Sequence, residues 1–402
     1  MYMQRSSFWP IKIYSFFVIV YFSLSPLRTF GVYQALNITK ISVVVTLVMS
    51  VFVWGWTSRK IYKDSMTVLL LFMLNVSVVI GLLRRNDMYY IVSDFFSLLA
   101  ALCVYSFSGS LRINPINAKI VIGYVSSGLW FVSLAVVCVD YFFTYYMGIP
   151  SYLSYGESYM LLPFSYFLFN KKKFKVISLF FCIFLGGRVG VFLGCIAVCI
   201  AYFVMNSRTV SMKKLIFFSL FLFSCLNIVM YCVKDYSPEY GVALPIVNKL
   251  QNYNYFHFNE SSQDLGQYGA GRMSEIEESF NAFSNLAFFP YILGGGSGFL
   301  YNLSVLDVVE ATHNVHFSVL SIVEKYGFIL AAMFYFYWIK ILYINFEYYS
   351  LIKNLERKNI FGVMLAFCTG MFVFSFTAFT VFVELYPWFF LGFMNSFRNY
   401  RE

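Results

Sequence analysis

The sequence carries little charge. Only 12% of its residues are Asp, Glu, Lys or Arg, whereas 60% are hydrophobic and 22% are aromatic. A soluble domain carries about 25% charged residues, so this composition excludes an ordinary water-soluble domain. The alternation of polar and apolar residues that marks membrane barrels is also absent. Many apolar runs instead reach the roughly 20 residues that a helix needs to cross a bilayer. This predicts an all-α polytopic membrane protein.

The sequence also offers little for disulfide or metal chemistry. None of its eight cysteines lies between Lys234 and Glu310, so disulfides do not cross-link that region. Cys195 and Cys199 share a helix face, but buried cysteine usually acts as a small apolar packing residue. The chain has no metal-ligand spacing and no Asp-x-Asp motif. We therefore expect no metal and no other cofactor.

Twelve apolar segments are predicted to form helices. They lie near residues 11–25, 38–56, 66–82, 89–108, 120–143, 153–169, 174–187, 188–205, 214–233, 313–342, 360–382 and 384–397. The pattern divides the chain into nine membrane helices in 1–233, one large loop over 234–312 and three membrane helices in 313–402. The first segment lacks a small-residue cleavage site, so we expect a retained anchor.

The distribution of Lys and Arg predicts the orientation, since these residues are retained in cytoplasmic loops. An N-terminus placed inside puts most of the 29 basic residues in inner loops. Both termini are then cytoplasmic, and the large loop lies on the outer side of the membrane. The formal net charge of +10 is therefore interpreted as a topology signal, and not as a nucleic-acid-binding surface. Arg84 and Arg85 are exceptions on the outer side, where they either extend an anionic site or contact lipid headgroups.

Arg188 is predicted to lie at the outer membrane face, between two apolar runs in LGGRVGVFLG. A guanidinium at membrane depth costs about 2.5–3.5 kcal/mol, so it normally has a partner. One interpretation is a phosphate, whose oxygens match the guanidinium fork; the other is snorkelling to the headgroups. Gly186, Gly190 and Gly194 form a ridge of small residues that lets another helix approach.

Arg272 precedes a predicted amphipathic helix within the large loop. Ser274 and Glu277 fit a capping box at the start of this helix. Four apolar residues are predicted to share one of its faces: Ile276, Phe280, Phe283 and Ala287. Arg272 is either a clamp on an anionic group or a surface salt-bridge partner of Glu275 or Glu277.

His313 and Asn314 stand at the predicted start of the long apolar helix that follows the loop. A neutral imidazole there can take a proton from a hydroxyl; the alternative is a hydrogen-bonded interfacial histidine. Glu324 lies on the same face, roughly 16 Å further along, and an intramembrane carboxylate is functional or paired. The run Gly294–Gly298 either presents backbone N–H groups to an anion or forms a flexible turn.

Together these motifs resemble one family. Gly271-Arg272, then FFPYILGGGSGF, then His313-Asn314 and a helix segment reading EKYG resemble the signature region of the O-antigen polymerase and O-antigen ligase superfamily. The GGRVG stretch around Arg188 is similar to the membrane-boundary arginine motif of that family. The motifs cover residues 185–195 and 270–328, and elsewhere only the hydropathy and the late large loop match.

The resemblance implies a multi-pass, metal-independent GT-C-type glycosyltransferase of a bacterial inner membrane, with its active site facing the periplasm. Arg188 and Arg272 would hold the pyrophosphate of an undecaprenyl-pyrophosphate-linked oligosaccharide, and His313 would be the general base. Four residues are expected to support them: Asn314, Glu324, Arg84 and Arg85. The expected partners are the lipid-linked glycan, membrane lipid and a chain-length regulator protein, with no nucleic acid.

Two functions within this family differ in the acceptor that receives the glycan. Many ligases carry a further arginine and serine soon after the His-Asn pair, whereas this helix reads VEKYG and has Lys325 in that region. This favours a repeat-unit polymerase, and a ligase that transfers glycan to lipid A–core is the alternative. A transporter or flippase is the alternative of another class, although the sequence shows no internal repeat and transport does not explain the large late loop.

Overall fold

The structure is a computed structural model that describes residues 64–110, 115–146, 157–186, 189–206, 272–286, 289–305, 308–312, 318–376, 381–382 and 384–399. The predicted helices near 11–25, 38–56 and 214–233 lie outside the described residues, as does the first half of the large loop.

The described ranges contain helices α1 (Ser65–Leu83), α2 (Met88–Ser110), α3 (Pro115–Tyr146), α4 (Leu161–Phe169), α5 (Lys173–Gly186), α6 (Val189–Asn206), α7 (Arg272–Ser284), α8 (Pro290–Leu293), α9 (Ser318–Leu351), α10 (Leu355–Ser375) and α11 (Leu385–Asn399). A short 3₁₀ helix, Glu157–Met160, precedes α4, and strands β1 (Tyr301–Val305) and β2 (Val308–Thr312) form a hairpin. Each apolar segment predicted within the described ranges corresponds to one or two of these helices.

Five helices are long and apolar enough to cross a membrane. They are α1, α2, the Ala118–Val139 part of α3, α9 and α10. Two shorter apolar helices, Ser158–Phe169 and Gly190–Asn206, accompany them. The predicted helical, membrane-compatible fold is therefore confirmed for the described part of the chain.

Small residues let the helices of the core approach closely. α6 packs along α10, and α2 packs along α11. A Cβ added at Gly194 would stand 3.2 Å from the carbonyl oxygen of Gly370, and one added at Gly370 would stand 3.0 Å from that of Gly194. Gly194 of the predicted small-residue ridge therefore lies at a backbone-to-backbone helix contact.

Helix α7 confirms the predicted amphipathic helix but corrects two details. It begins at Arg272, so Ser274 lies inside the first turn and is not the N-cap. Its buried face carries Glu275, Ser279 and Phe283, whereas Phe280 is exposed. The predicted apolar face is partly confirmed, since Phe283 is buried and Ile276 packs against the core, while Ala287 lies outside the described residues. The buried face differs from the prediction because it also carries polar residues, which bond to groups of β1 and α9.

The β1–β2 hairpin is an addition to the predicted all-α fold. The strands are antiparallel, and Tyr301 pairs with Thr312 at the open end. Residues 306–307 connect them along the chain, so the hairpin is local. It ends directly before His313 in the sequence.

The long helix after the loop is kinked. The structure describes it from Ser318, and Gly327 has non-helical angles, φ 78° and ψ 165°. The kink removes Gly327 from the helix face that the periodicity predicts, and residues 313–317 at the start of that face lie outside the described residues. Residues 318–326 form a separate first section of α9.

Candidate functional site

The segment Gly294–Gly298, here called the glycine run, is held by backbone hydrogen bonds. The N–H of Gly295 donates to the carbonyl of Glu324, and that of Gly296 donates to the carbonyl of Lys325 at 3.1 Å. The N–H of Ser297 donates to Ser77 O at 2.8 Å. The glycine run therefore packs between α1 and α9.

The two remaining N–H groups of the glycine run are also bonded. Gly294 donates to Pro290 O at 2.7 Å, and Gly298 donates to a carboxylate oxygen of Asp94 at 2.8 Å. The interpretation of this run as an anion-binding nest is therefore wrong, because all five N–H groups have protein acceptors. The alternative of a flexible turn also fails, since the run is buried.

The kink at Gly327 explains why these bonds form. A non-helical residue interrupts the helix ladder and leaves the carbonyls of the preceding turn without their usual helical donors. Within membrane depth such groups need another partner, and irregular backbone is tolerated where protein covers it. The N–H groups of Gly295 and Gly296 provide that partner for Glu324 and Lys325.

These positions require glycine because the glycine run and the kinked part of α9 touch through their backbones, which leaves no space for a side chain. Gly294, Gly296 and Gly298 all have φ between 76° and 80°, a region that disfavours side chains. A Cβ on Gly294 would stand 2.5 Å from Lys325 O, and one on Gly327 would overlap the carbonyl of Ile292. The glycine run is thus a packing element that fixes the loop against the kink.

The turn after α1 contacts the glycine run. The amide nitrogen of the Asn86 side chain donates to Gly295 O at 3.0 Å and to Ser297 O at 2.8 Å. Arg84 and Arg85 lie in this turn; Arg85 is exposed and has φ 60°. Partial burial lowers the pKa of Arg84 from its ordinary value. The two arginines therefore lie at the glycine-run end of the bundle, the end where the glycine run meets α1.

Two buried carboxylates attach α7 to its neighbours. Ser279 donates to Glu324 of α9, and the hydroxyl of Tyr301 donates to Glu275 at 2.8 Å. Burial, followed by the charge and hydrogen bond of Glu275, raises the pKa of Tyr301 above its ordinary value. Glu324, predicted to be paired or functional, is a hydrogen-bonded anchor for the helix that begins at Arg272.

The hairpin register brings the two ends of this loop region together. Tyr301 pairs with Thr312, the residue before His313 in the sequence, and paired residues of antiparallel strands lie about 5 Å apart. The hydroxyl of Tyr301 contacts Glu275, one helical turn after Arg272. Tyr301 is therefore a neighbour both of Thr312, which precedes His313, and of Glu275, which lies one turn after Arg272.

A series of contacts connects this end of the bundle with helices α5 and α6. The rings of Tyr326 and Phe382 lie 6.0 Å apart, and Ser158 donates to Glu384. The 3₁₀ helix that contains Ser158 packs against both α5 and α6. These are the two helices that flank Arg188 in the sequence.

The predicted catalytic side chains themselves are not described. Arg188, His313 and Asn314 lie outside the described residues, and so does the side chain of Arg272. Their roles stay predictions. In the described part of the chain, no group of three His, Cys, Asp or Glu residues could hold a metal ion.

Sequence reasoning missed a buried ion pair beside these elements. Lys325 Nζ lies 2.7 Å from an Asp94 carboxylate oxygen, and the side chains are only 7% and 11% exposed. Lys325 was noted only as a departure from the ligase pattern. Asp94 was overlooked, although it is the one acid inside the apolar 89–108 segment and an intramembrane carboxylate is a signal by itself.

No protein-family model matches the chain, and comparison with curated proteins gives no significant match. The family resemblance therefore stays a prediction that depends on the sequence motifs.

Proposed function

We propose that this chain is a membrane glycosyltransferase that polymerises the repeat units of a bacterial surface polysaccharide, the O-antigen type being favoured. It transfers a growing glycan from undecaprenyl pyrophosphate to another lipid-linked repeat unit. Arg188 and Arg272 bind the pyrophosphate, and His313 takes the proton of the acceptor hydroxyl. The reaction takes place at the periplasmic face of the inner membrane.

One observation supports this proposal: the described elements near Arg272 and His313 meet at Tyr301, and a chain of contacts connects this region to the two helices that flank Arg188. Tyr301 bonds to the helix that begins at Arg272 and pairs with Thr312, next to His313. The Ser158–Glu384 bond lies beside the helices that flank Arg188. Residues that are far apart in the sequence thus have neighbours within one region of the fold.

The chemistry needs these side chains. Negative charge develops on the pyrophosphate as its bond to the sugar C1 breaks, and fixed guanidinium groups stabilise that charge in a site shielded from water. The acceptor hydroxyl loses a proton as it attacks, which suits a base that titrates near neutral pH. Because the N–H groups of the glycine run are occupied, the anion-binding role falls to side chains.

The test is chain extension in a strain that lacks the chromosomal copy. We expect Arg188→Ala, Arg272→Ala and His313→Ala each to abolish extension while the protein still inserts. Lys119→Ala is a matched control, because Lys119 forms an exposed ion pair with Glu356 away from these elements. A normal glycan length distribution in one of the three variants would remove that residue from the mechanism.

The glycans of the deletion strain separate the polymerase from its alternatives. A polymerase deletion leaves lipid A–core that bears a single repeat unit. A ligase deletion leaves bare core, with lipid-linked polymer accumulating. A flippase deletion also leaves bare core, but its lipid-linked single units remain on the cytoplasmic side.

A further inference from the structure

A small polar cavity lies between α2, α9 and residues 381–382. Its volume is about 70 Å³, several times the roughly 10–15 Å³ that is needed to hold one water molecule. Six polar residues line it: Ser93, Asp94, Ser97, Ser318, Ser321 and Lys325. Tyr326 and Phe382 add aromatic surface on one side. Polar groups concentrated at this depth of an apolar bundle point to a ligand that makes hydrogen bonds.

The charges around the cavity favour a neutral ligand. The ammonium of Lys325 and the carboxylate of Asp94 are in contact at 2.7 Å, so their formal charges cancel. A phosphate that approached Lys325 would also approach the Asp94 carboxylate, and like charges at short range repel. Serine hydroxyls both donate and accept hydrogen bonds, which matches alcohol groups better than an anion.

The cavity also adjoins the proposed catalytic region. Lys325 follows Glu324, the anchor of α7, and Asp94 accepts from Gly298 of the glycine run. Apolar and aromatic walls with a few converging polar groups are the usual composition of a small-molecule site. A cavity of this size admits one hydroxyl-bearing edge of a sugar, and not a whole ring.

We infer that this cavity is a subsite for the hydroxyl groups of one sugar residue of the lipid-linked glycan. This inference rests on the proposed function. The Lys325–Asp94 ion pair stays intact when the sugar binds. The serine hydroxyls then form hydrogen bonds with sugar hydroxyls instead of with water. The pyrophosphate is bound elsewhere, by the arginines.

Cysteine labelling tests the subsite in the full chain in lipid nanodiscs. Ser97→Cys places a thiol in the lining, and a small cationic thiol reagent reports its accessibility. Ser350→Cys is the matched control, because Ser350 is exposed at the other end of α9; the unmodified chain, with its eight cysteines, gives the background. The probes are undecaprenyl pyrophosphate with its glycan, isolated from the source cells, and undecaprenyl pyrophosphate alone.

We expect the glycan-bearing lipid to slow labelling at position 97 at least five-fold and the glycan-free lipid to leave it unchanged, with neither affecting position 350. Equal protection by both lipids would mean that the cavity takes phosphate, and absence of protection would mean that it takes no part of the substrate. Either result overturns the inference. Ser321→Ala should weaken binding of the glycan-bearing lipid about five-fold, the effect of one neutral hydrogen bond.

Labelling measures binding and not transfer, so the two proposals fail separately. If the deletion strain extends glycan normally while the glycan still protects position 97, the glycosyl-transfer proposal fails and glycan binding at the subsite stands. If Arg272→Ala abolishes extension and the glycan gives no protection, the subsite fails and the transfer proposal stands.

Discussion

Asp94→Asn changes the charge of a buried side chain while preserving its shape. The ammonium of Lys325, 7% exposed and 2.7 Å from Asp94, then loses this counter-ion. Removal of one partner from a buried ion pair costs about 3–5 kcal/mol, and insertion of a single charge at membrane depth costs about 2.5–3.5 kcal/mol. The two ranges overlap, so we expect a loss of about 3 kcal/mol in the free energy of unfolding. Lys325→Met should lose a similar amount.

The chain contains a control pair of the same chemistry. Lys119 and Glu356 lie 2.8 Å apart, but their side chains are 40% and 60% exposed. Solvent screens such a pair, and exposed pairs contribute about 0–1 kcal/mol. Glu356→Gln should therefore change stability by less than 1 kcal/mol. The distances are nearly equal, so burial is the variable that the comparison isolates.

Reversible unfolding in mixed detergent micelles, followed by circular dichroism, measures all of these variants. The double variant Asp94→Asn/Lys325→Met should lose less than the sum of the single losses, because contacting residues couple by about 0.5–3 kcal/mol. If Asp94→Asn costs no more than Glu356→Gln, or if the two single losses add, the pair does not stabilise this region and the argument is refuted.

Three further changes test neighbouring parts of the site. Gly327→Ala should lose about 2–3 kcal/mol, because φ 78° and ψ 165° are strained for any side chain and an added Cβ would overlap the carbonyl of Ile292; the control Ala332→Gly should lose about 1 kcal/mol, and equal losses would show that the kink does not require glycine. Tyr301→Phe should lose about 1–3 kcal/mol by leaving the buried Glu275 carboxylate short of a donor. The pKa of Tyr301 is raised in the fold, so its contribution is complete below the ordinary value near 10 and is lost as the pH rises; unfolding curves of Tyr301→Phe should lack that alkaline decline. Arg272→Lys should lose chain extension, since a bidentate guanidinium contact is not replaced by an ammonium; full activity would mean that a single positive charge suffices.

Apolar run length predicted most of the described fold. The segment 66–82 is helix Ser65–Leu83, and the segment 89–108 is helix Met88–Ser110. Such runs are decisive because a chain in a bilayer must satisfy its backbone hydrogen bonds internally, and a helix does so within one segment. The hairpin was not predicted, although residues 301–305 read Tyr-Asn-Leu-Ser-Val, an apolar and polar alternation that is typical of a strand. The run is short and lies inside a long loop, so it was overlooked.

The rotation of α7 could not be derived from its own residues. Hydrophobic periodicity predicted that Phe280 and Phe283 face inward together, but Phe280 is exposed and Glu275 is buried. The inward face of α7 is set by hydrogen-bond partners on other elements. Tyr301 donates to Glu275, and the Glu324 carboxylate accepts from Ser279. These partners lie 26 and 45 residues further along the chain, beyond the reach of a local pattern.

The glycine run shows how one sequence signal can support opposite functions. Glycines at alternate positions permit φ near +76°, and that geometry serves an anion nest or a close backbone contact equally well. The choice depends on what the N–H groups face, and here they face the carbonyls freed by the kink at Gly327 and the carboxylate of Asp94. A glycine N–H that donates to a protein acceptor is not available to donate to a substrate. The proposed pyrophosphate site therefore depends on side chains and not on these amides, and Arg188 and Arg272 are the residues that the proposal assigns to it.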